Sequence, residues 1–239
     1  MGKCCATARS FVSGALRCFR TNVLPALGLL LSFGLVAAAG SLFLFYRLSE
    51  EMKAGNTRQF DDSSLALFNQ FASPRLTFFM RGVTYLGSNE FLIFAGAYVV
   101  IAFVLVRWKR AMVTFLVTMA GAAVLNSTLK MLFGRERPEP FFGIPRPESY
   151  SFPSGHALLS LCFYSVIAAV IAARINRACG RIAVWAAAAV LVLLIGLSRV
   201  YLGVHYPSDV LAGYVAGFVW LVVVLSADKV MEARLRRKD

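Results

Sequence analysis

Residues 182–201 read IAVWAAAAVLVLLIGLSRVY, an apolar run that carries no charge before Arg199. A helix needs about 20 mostly apolar residues to cross a hydrocarbon core of roughly 30 Å, which is the length of this run. Similar runs recur along the chain, and the predicted spans are residues 23–46, 85–106, 111–133, 153–173, 182–201 and 207–227. The sequence therefore predicts an all-α integral membrane protein, a six-helix bundle that forms one transmembrane domain over residues 1–239.

The composition of the 239 residues excludes the common soluble classes. Hydrophobic residues make up 59% of the chain and charged residues only 15%, whereas soluble domains carry about 25% charged residues. Such a composition also excludes intrinsic disorder. The five cysteines, an odd number without paired metal-ligand spacing, are interpreted as free thiols rather than a disulfide scaffold; they are Cys4, Cys5, Cys18, Cys162 and Cys179.

The distribution of positive charge predicts the orientation in the membrane. The net charge is +13, and 15 of the 25 Lys and Arg residues lie in residues 1–22, 107–110, 174–181 and 228–239. With six spans these four segments share one side, and cytoplasmic loops hold the excess of basic residues. Both termini are therefore expected in the cytoplasm. The basic residues are scattered and lack interleaved aromatic residues, so no nucleic-acid partner is expected.

The first external connection, residues 47–84, carries a second helical signal. Residues 61–64 (DDSS) offer an N-cap, and Leu65, Phe68 and Phe71 follow at helical spacing before Pro74. A plain solvated connector would leave these aromatic side chains in water. We therefore expect one or two helices that lie at the membrane interface.

Three polar clusters interrupt the apolar pattern at the ends of predicted spans. Lys130 and Arg137 follow the third span, residues 153–156 (PSGH) open the fourth, and residues 198–209 connect the fifth to the sixth. From a cytoplasmic N-terminus, odd-numbered spans end and even-numbered spans begin on the outer face. All three clusters are therefore expected to meet there.

The cations of these clusters predict a phosphate site. Lys130, Arg137 and Arg199 suit an anion with several oxygens, because arginine binds phosphate through two parallel hydrogen bonds and lysine adds a point charge. Pro153 and Pro207 suit the first turn of a helix, whose free N–H groups bind anions. We expect such donors around Ser154 and Gly155, where glycine permits close approach of the backbone.

The two histidines of the chain, His156 and His205, both lie in the clusters. His205 and Asp209 are four residues apart, so the carboxylate can fix the tautomer of an imidazole that attacks phosphorus and forms a phosphohistidine. The other histidine then protonates the leaving alkoxide and later activates water. Spacing alone does not decide which histidine attacks.

The acids of the chain do not form a metal site in the sequence. Asp209 is the only acid expected in the clusters, and three loop glutamates are interpreted as solvated partners of Arg135 and Arg146; they are Glu136, Glu139 and Glu148. We therefore expect catalysis without a metal or another cofactor.

Together, Lys130-x6-Arg137-Pro138, Pro153-Ser154-Gly155-His156 and Ser198-Arg199-x5-His205-x3-Asp209 resemble the tripartite signature of the type 2 phosphatidic acid phosphatases. The resemblance covers roughly residues 126–213. It implies that His205 is the nucleophile, Asp209 its orienting acid and His156 the proton donor. It also implies phosphate binding by Lys130, Arg137, Ser154, Gly155 and Arg199.

The resemblance further implies a bacterial enzyme of the inner membrane, with its active site on the periplasmic or extracytoplasmic side. The expected partners are the bilayer and a lipid phosphate: phosphatidic acid, phosphatidylglycerol phosphate or undecaprenyl diphosphate. The oligomeric state stays open. A non-catalytic membrane protein that binds phosphate or another anion is the alternative, and a vanadium haloperoxidase is a third hypothesis.

Two smaller features concern helix packing. Gly213 and Gly217 form a small-xxx-small step on the sixth span, which we expect to pack within the monomer. Asn126, which precedes Lys130 on the third span, is expected to hydrogen-bond to the fifth or sixth span or to be structural.

Overall fold

A computed structural model describes residues 24–235, and all regular structure in that range is helical. Val23 at the start of the first predicted span, the basic residues before it, Cys4, Cys5 and Cys18, and the tail from residue 236 lie outside the described residues. The helices are α1 Leu24–Lys53, α2 Arg58–Gln70, α3 Pro74–Tyr85, α4 Asn89–Leu105, α5 Lys109–Phe133, α6 Gly155–Ala172, α7 Ala178–Tyr201 and α8 Pro207–Leu235.

Four of these helices, α5 to α8, are long and apolar enough to cross a membrane. A fifth span results if α3 and α4, which meet at a bend of 47°, are counted as one. The prediction of an all-α membrane protein is therefore confirmed. The exact number of six crossings stays a prediction, because α1 is not among these spans and α4 alone has only 17 residues.

The connection of residues 47–84 contains two helices, α2 and α3, in agreement with the prediction of one or two helices. The predicted N-cap at residues 61–64 is wrong, because α2 already begins at Arg58 and Asp61 lies in its first turn. Helix α3 starts as its sequence dictates: Ser73 Oγ accepts a hydrogen bond from Leu76 N at 3.3 Å, and Pro74 occupies the first helical position.

Helix α6 lies at the centre of the bundle and packs against α5, α7 and α8, while α1 packs along α8. Its residues Leu158, Cys162 and Val166 are almost completely buried. Large apolar side chains such as Phe94 and Leu132 remain exposed on the outside, where lipid is the natural solvent for them. The bundle therefore buries a compact centre and presents an apolar outer surface.

The contact between α6 and α8 depends on two glycines. A Cβ atom on Gly213 would lie 2.6 Å from the backbone oxygen of Ser154, and one on Gly217 would lie 3.2 Å from that of Leu158. These glycines let the two backbones approach closely. The prediction that Gly213 and Gly217 pack within the monomer is confirmed.

We expect Gly213→Ala to destabilise the protein, because the added methyl group forces the start of α6 away from α8. Overpacking of this kind costs about 1–3 kcal/mol, and here it also displaces Ser154. Thermal unfolding in detergent is the measurement. Gly40→Ala is the matched control, since nothing lies within 4 Å of its added Cβ. Equal unfolding midpoints for the two variants would contradict the expectation.

Candidate active site

The three sequence clusters lie at one end of the bundle. Lys130 is in the last turn of α5, which ends at Gly134 with a left-handed φ of 56°. His156 is in the first turn of α6, and Arg199 is in the last turn of α7. Asp209 is in the first turn of α8. Two connections, residues 134–154 and 202–206, supply the remaining polar side chains.

His205 is buried, with 1% of its surface exposed. Its Nε2 atom lies 2.9 Å from Arg137 Nη1. A guanidinium group can only donate hydrogen bonds, so Nε2 must accept this one and Nδ1 must carry the ring hydrogen. The structure therefore holds His205 as a neutral imidazole whose Nε2 lone pair faces the cations of the site.

Burial lowers the pKa of His205 well below its ordinary value of 6.5, and the positive charges of Arg137, Arg199 and Lys130 lower this pKa further. The imidazole therefore stays neutral where an ordinary histidine takes up a proton. Unfolded His205 takes up a proton near pH 6.5 and folded His205 does not. The folded state consequently loses stability as the pH falls below that value.

We expect the acid limb of kcat/KM to lie well below pH 6.5, the ordinary histidine value, because this limb reports the free enzyme's essential base. The measurement is a pH profile with two substrates whose phosphates titrate at different pH values. A limb that arises from the enzyme lies at the same pH with both substrates, whereas a limb that arises from the phosphate shifts with the substrate. An enzyme limb at or above the ordinary histidine value would contradict the expectation.

Asp209 is completely buried and accepts several hydrogen bonds. Its Oδ2 atom accepts from Tyr206 N at 2.9 Å and from the Ser151 hydroxyl, and it lies 3.4 Å from His205 Nδ1. The first of these bonds is one half of a capping box, in which an acid at the third helical position reaches back to the N-cap residue. The start of α8 thus fixes the carboxylate beside the imidazole.

The ion pairs differ in part from the sequence prediction. Arg146 and Glu139 pair at 3.3 Å, as predicted. Arg135 instead pairs with Asp61 and with Asp209, each at 2.7 Å. Asp209 is the only acid of the three clusters, but it is not the only acid near the site. Packing of α2 brings Asp61 there from a distant part of the sequence.

Lys130 and Arg137 converge on the same turn of the chain. The Lys130 ammonium group donates to Tyr150 O and lies 3.5 Å from Ser149 Oγ, and Arg137 Nη2 donates to Ser149 Oγ at 3.0 Å. Burial lowers the pKa of Arg137 to about 10. Arg137 therefore remains a cation at neutral pH.

Two predicted phosphate-binding groups have unused hydrogen-bonding capacity. Arg199 Nη1 donates to Thr84 Oγ1 at 2.8 Å, but Arg199 Nε has no partner. Ser154 Oγ also has none, and among the side chains that the structure describes, Asn126 Oδ1 is the third buried atom without a partner. A buried polar group without a partner costs about 1–3 kcal/mol. Such atoms at a cationic site indicate a place for a polar ligand.

A cavity of about 410 Å³ opens beside His156 and Arg199, and Thr84, Tyr85 and Ser88 form part of its wall. None of its lining residues is acidic. His156 lies within electrostatic range of His205, Arg137, Lys130 and Arg199. His156 and Arg199 therefore line a cavity without acidic groups, and the charges of Lys130 and Arg137 act on the same histidine, an arrangement that suits an anion.

The start of α6 differs from the predicted anion site in two details. The helix begins at Gly155, so Pro153 precedes its first turn, and the N–H group of Ser154 is not free because it donates to Asp209 O at 2.9 Å. Pro207 does occupy the first position of α8. Asn126 lies against the start of α6, since its amide would lie 3.2 Å from a Cβ atom on Gly155, and its Oδ1 atom has no hydrogen-bond partner.

Residues 111–230 match the protein family described as the "PAP2 superfamily". Phosphatidylglycerophosphatase B of Bacillus subtilis is 32% identical over 205 residues, which cover 83% of this chain and 98% of that protein. The undecaprenyl-diphosphatase of Sulfolobus acidocaldarius is 31% identical over 116 residues, 46% of this chain and 52% of that protein.

The fold also matches a solved structure. A transmembrane PAP2 type phosphatidylglycerolphosphate phosphatase from Bacillus subtilis superposes with a TM-score of 0.75 and 28% sequence identity, over 80% of this chain and 96% of that chain. These relatives bear the names of lipid phosphatases, so the predicted enzyme class is confirmed at the level of the family. A relative that is matched almost from end to end, and a family match over half of the chain, show that the chain belongs to the PAP2 superfamily.

Proposed function

We propose that this protein hydrolyses the phosphomonoester or diphosphate of a membrane lipid through a phosphohistidine on His205, without a metal ion. The substrate is phosphatidic acid, phosphatidylglycerol phosphate or undecaprenyl diphosphate. One observation carries the proposal: the Nε2 lone pair of a buried, neutral His205 faces Arg137, and the adjacent residue Val204 lines a cavity together with His156 and Arg199. Arg199 Nε and Ser154 Oγ of the neighbouring motif are buried without a hydrogen-bond partner. Phosphate oxygens would satisfy these atoms.

In the first step, the lipid phosphate binds to Lys130, Arg137 and Arg199. Arg137 Nη1 exchanges its hydrogen bond from His205 Nε2 to a phosphate oxygen, which frees the lone pair for attack on phosphorus. An N–P bond forms, the P–O bond to the lipid breaks, and protonated His156 gives its proton to the leaving oxygen. Fixed cations are most effective where negative charge develops in the transition state.

In the second step, neutral His156 takes a proton from a water molecule, and the water oxygen attacks the phosphohistidine. The N–P bond breaks and inorganic phosphate leaves. While the phosphoryl group is on Nε2 and the hydrogen on Nδ1, the ring carries a positive charge. The buried carboxylate of Asp209, 3.4 Å from Nδ1, stabilises this state.

Phosphate release by detergent-solubilised protein in the presence of EDTA tests the proposal. We expect release that chelation does not abolish, and comparison of the three lipids identifies the preferred substrate. Activity that vanishes with the chelator would contradict metal-independent hydrolysis. Binding of phosphate without any turnover would favour the anion-binding alternative.

We also propose that the protein lies in the bacterial cytoplasmic membrane with both termini in the cytoplasm and the active site outside. The excess of Lys and Arg in four segments on one side supports this orientation. The apolar lipid chains can then remain in the hydrocarbon while the headgroup reaches the cationic site.

Thiol labelling in spheroplasts tests the orientation. Cys179 is exposed near the start of α7, and Glu139, whose side chain is 88% exposed, lies in the connection that carries Arg137. Two single-cysteine proteins are compared, one with Glu139→Cys and one with the native Cys179. We expect a membrane-impermeant maleimide to label Glu139→Cys in intact spheroplasts. It should label Cys179 only after permeabilisation. The reverse pattern would overturn the proposed orientation.

A further inference from the structure

A buried ion-pair network joins the external helix α2 to the start of α8. Arg135 Nη2 donates to Asp61 Oδ2 and Arg135 Nη1 donates to Asp209 Oδ1, both at 2.7 Å. Both carboxylates are completely buried, and 14% of the Arg135 side chain is exposed. Burial alone lowers the pKa of Arg135, but the charges of Asp209 and Asp61 outweigh burial and raise this pKa. One guanidinium group therefore bridges two carboxylates of separate helices.

Asp61 also caps α8 from outside that helix. Its Oδ1 atom accepts a hydrogen bond from Ser208 N at 3.0 Å, and its Oδ2 atom accepts one from Ser208 Oγ at 2.6 Å. The first N–H groups of a helix have no partner within the helix, and negative charge is favourable there. Because Ser208 directly precedes Asp209, the contact fixes the backbone that carries the catalytic carboxylate.

Ser151 extends the network to the imidazole. The Ser151 hydroxyl donates to Asp209 Oδ2, and its oxygen lies 3.3 Å from His205 Nδ1. Since Nδ1 carries the ring hydrogen, and a hydroxyl oxygen accepts while it donates, the hydrogen bonds run from His205 through Ser151 to Asp209. Ser151 is itself completely buried.

We propose that Asp61, Arg135 and Ser151 are positioning residues, which act through Asp209 to hold His205 Nε2 in line with the substrate phosphorus. The inference rests on the proposed phosphohistidine mechanism and extends it to residues outside the three motifs. Arg135 engages Oδ1 of Asp209, so that Oδ2 remains for Ser151 and His205. The external helix α2 is thereby part of the catalytic apparatus.

The charge of the network supports this role. Asp61, Arg135 and Asp209 together carry one net negative charge, which opposes the positive charge of the phosphorylated imidazole. Loss of the Asp61 charge leaves Arg135 and Asp209 as a neutral pair and removes that balance. Loss of Arg135 leaves two carboxylates in one buried space, where like charges disfavour ionisation of both.

Steady-state kinetics of Ser151→Ala, Asp61→Asn and Arg135→Gln test the proposal. We expect kcat to fall about 10- to 100-fold in each, the size of effect that follows a displacement of about 1 Å at a reacting centre. KM should stay within about twofold, because none of the three residues lines the cavity beside His156 and Arg199. Arg135→Lys should have a higher kcat than Arg135→Gln but a lower one than the native protein, since lysine restores the charge without the bidentate hydrogen bonds of arginine.

The exposed pair Arg146 and Glu139 of the same connection provides the matched control, and Glu139→Gln should leave kcat unchanged. If Asp61→Asn or Arg135→Gln does not fold, Ser151→Ala decides, because it removes one hydroxyl and no charge. Native kcat in folded Ser151→Ala protein, or a change in KM alone, would overturn the inference. A native protein that releases no phosphate would instead refute the proposed function.

Discussion

The His205→Ala protein is expected to release phosphate from lipid at least on the order of 10⁴-fold more slowly than the native protein, because loss of a nucleophile removes the covalent route. Arg137 and Ser151 lose the imidazole as a hydrogen-bonding partner, but both remain in place. Initial rates with a lipid phosphate in detergent measure the effect. Residual activity then reflects direct attack by water on a phosphate that the cations still hold.

Radiolabelled lipid phosphate separates loss of the nucleophile from loss of the fold. Native protein quenched during turnover should retain an alkali-stable, acid-labile label, as a phosphohistidine does, and His205→Ala should retain none. Inorganic phosphate should still raise the unfolding temperature of the variant, because Lys130, Arg137 and Arg199 remain and a bound ligand stabilises the folded state. A native level of alkali-stable label in His205→Ala would refute His205 as the nucleophile.

The meeting of the three clusters could be predicted because it depends on parity. Lys130, His156, Arg199 and Asp209 lie within a turn of a helix end, so errors of several residues in the boundaries leave them on one face. The helix lengths were predicted less well. Helix α1 continues to Lys53, beyond the predicted residue 46, because hydropathy marks the extent of the hydrocarbon and a polar helical extension leaves no hydropathy signal.

Asp61, Arg135 and Ser151 were missed for a different reason. Asp61 lies 74 residues from Arg135 and 147 from Ser208, so that only the packing of α2 on α8 brings them together. Its sequence, DDSS, is typical of a helix N-terminus, which concealed the long-range role. Arg135 was assigned to neighbouring glutamates, but these are exposed, and an exposed ion pair contributes little to holding a side chain in place.

One available signal pointed towards Arg135. An arginine in a connection between membrane spans, two residues before a predicted phosphate ligand, requires a partner if the site around it is buried. Ser151 offers no comparable signal, because serine is common in connections and its hydroxyl can bond to many groups. Sequence patterns therefore identified the groups proposed to bind the phosphate, and the three-dimensional arrangement identified the groups proposed to orient the imidazole.

Substitution of His156 by alanine should separate the two chemical steps, because the proposed mechanism uses this residue as acid in the first step and as base in the second. With a lipid phosphate, whose alkoxide is a poor leaving group, we expect turnover to fall about 10²- to 10⁴-fold, the usual contribution of general acid–base catalysis. With p-nitrophenyl phosphate, whose leaving group needs no proton, formation of the phosphohistidine should continue. Hydrolysis of the phosphohistidine should be slow with either substrate, since no base activates the water.

His156→Ala mixed with p-nitrophenyl phosphate should therefore release one equivalent of p-nitrophenol per protein in a burst, and then turn over slowly. The phosphorylated protein should accumulate in proportion, as quenched samples would show. The His205→Ala variant provides the control and should give neither burst nor label. If His156→Ala slows both substrates equally and accumulates no phosphorylated protein, His156 does not act as the proton donor. The cavity beside Arg199 would then have to admit another acid, although none of its lining residues is acidic.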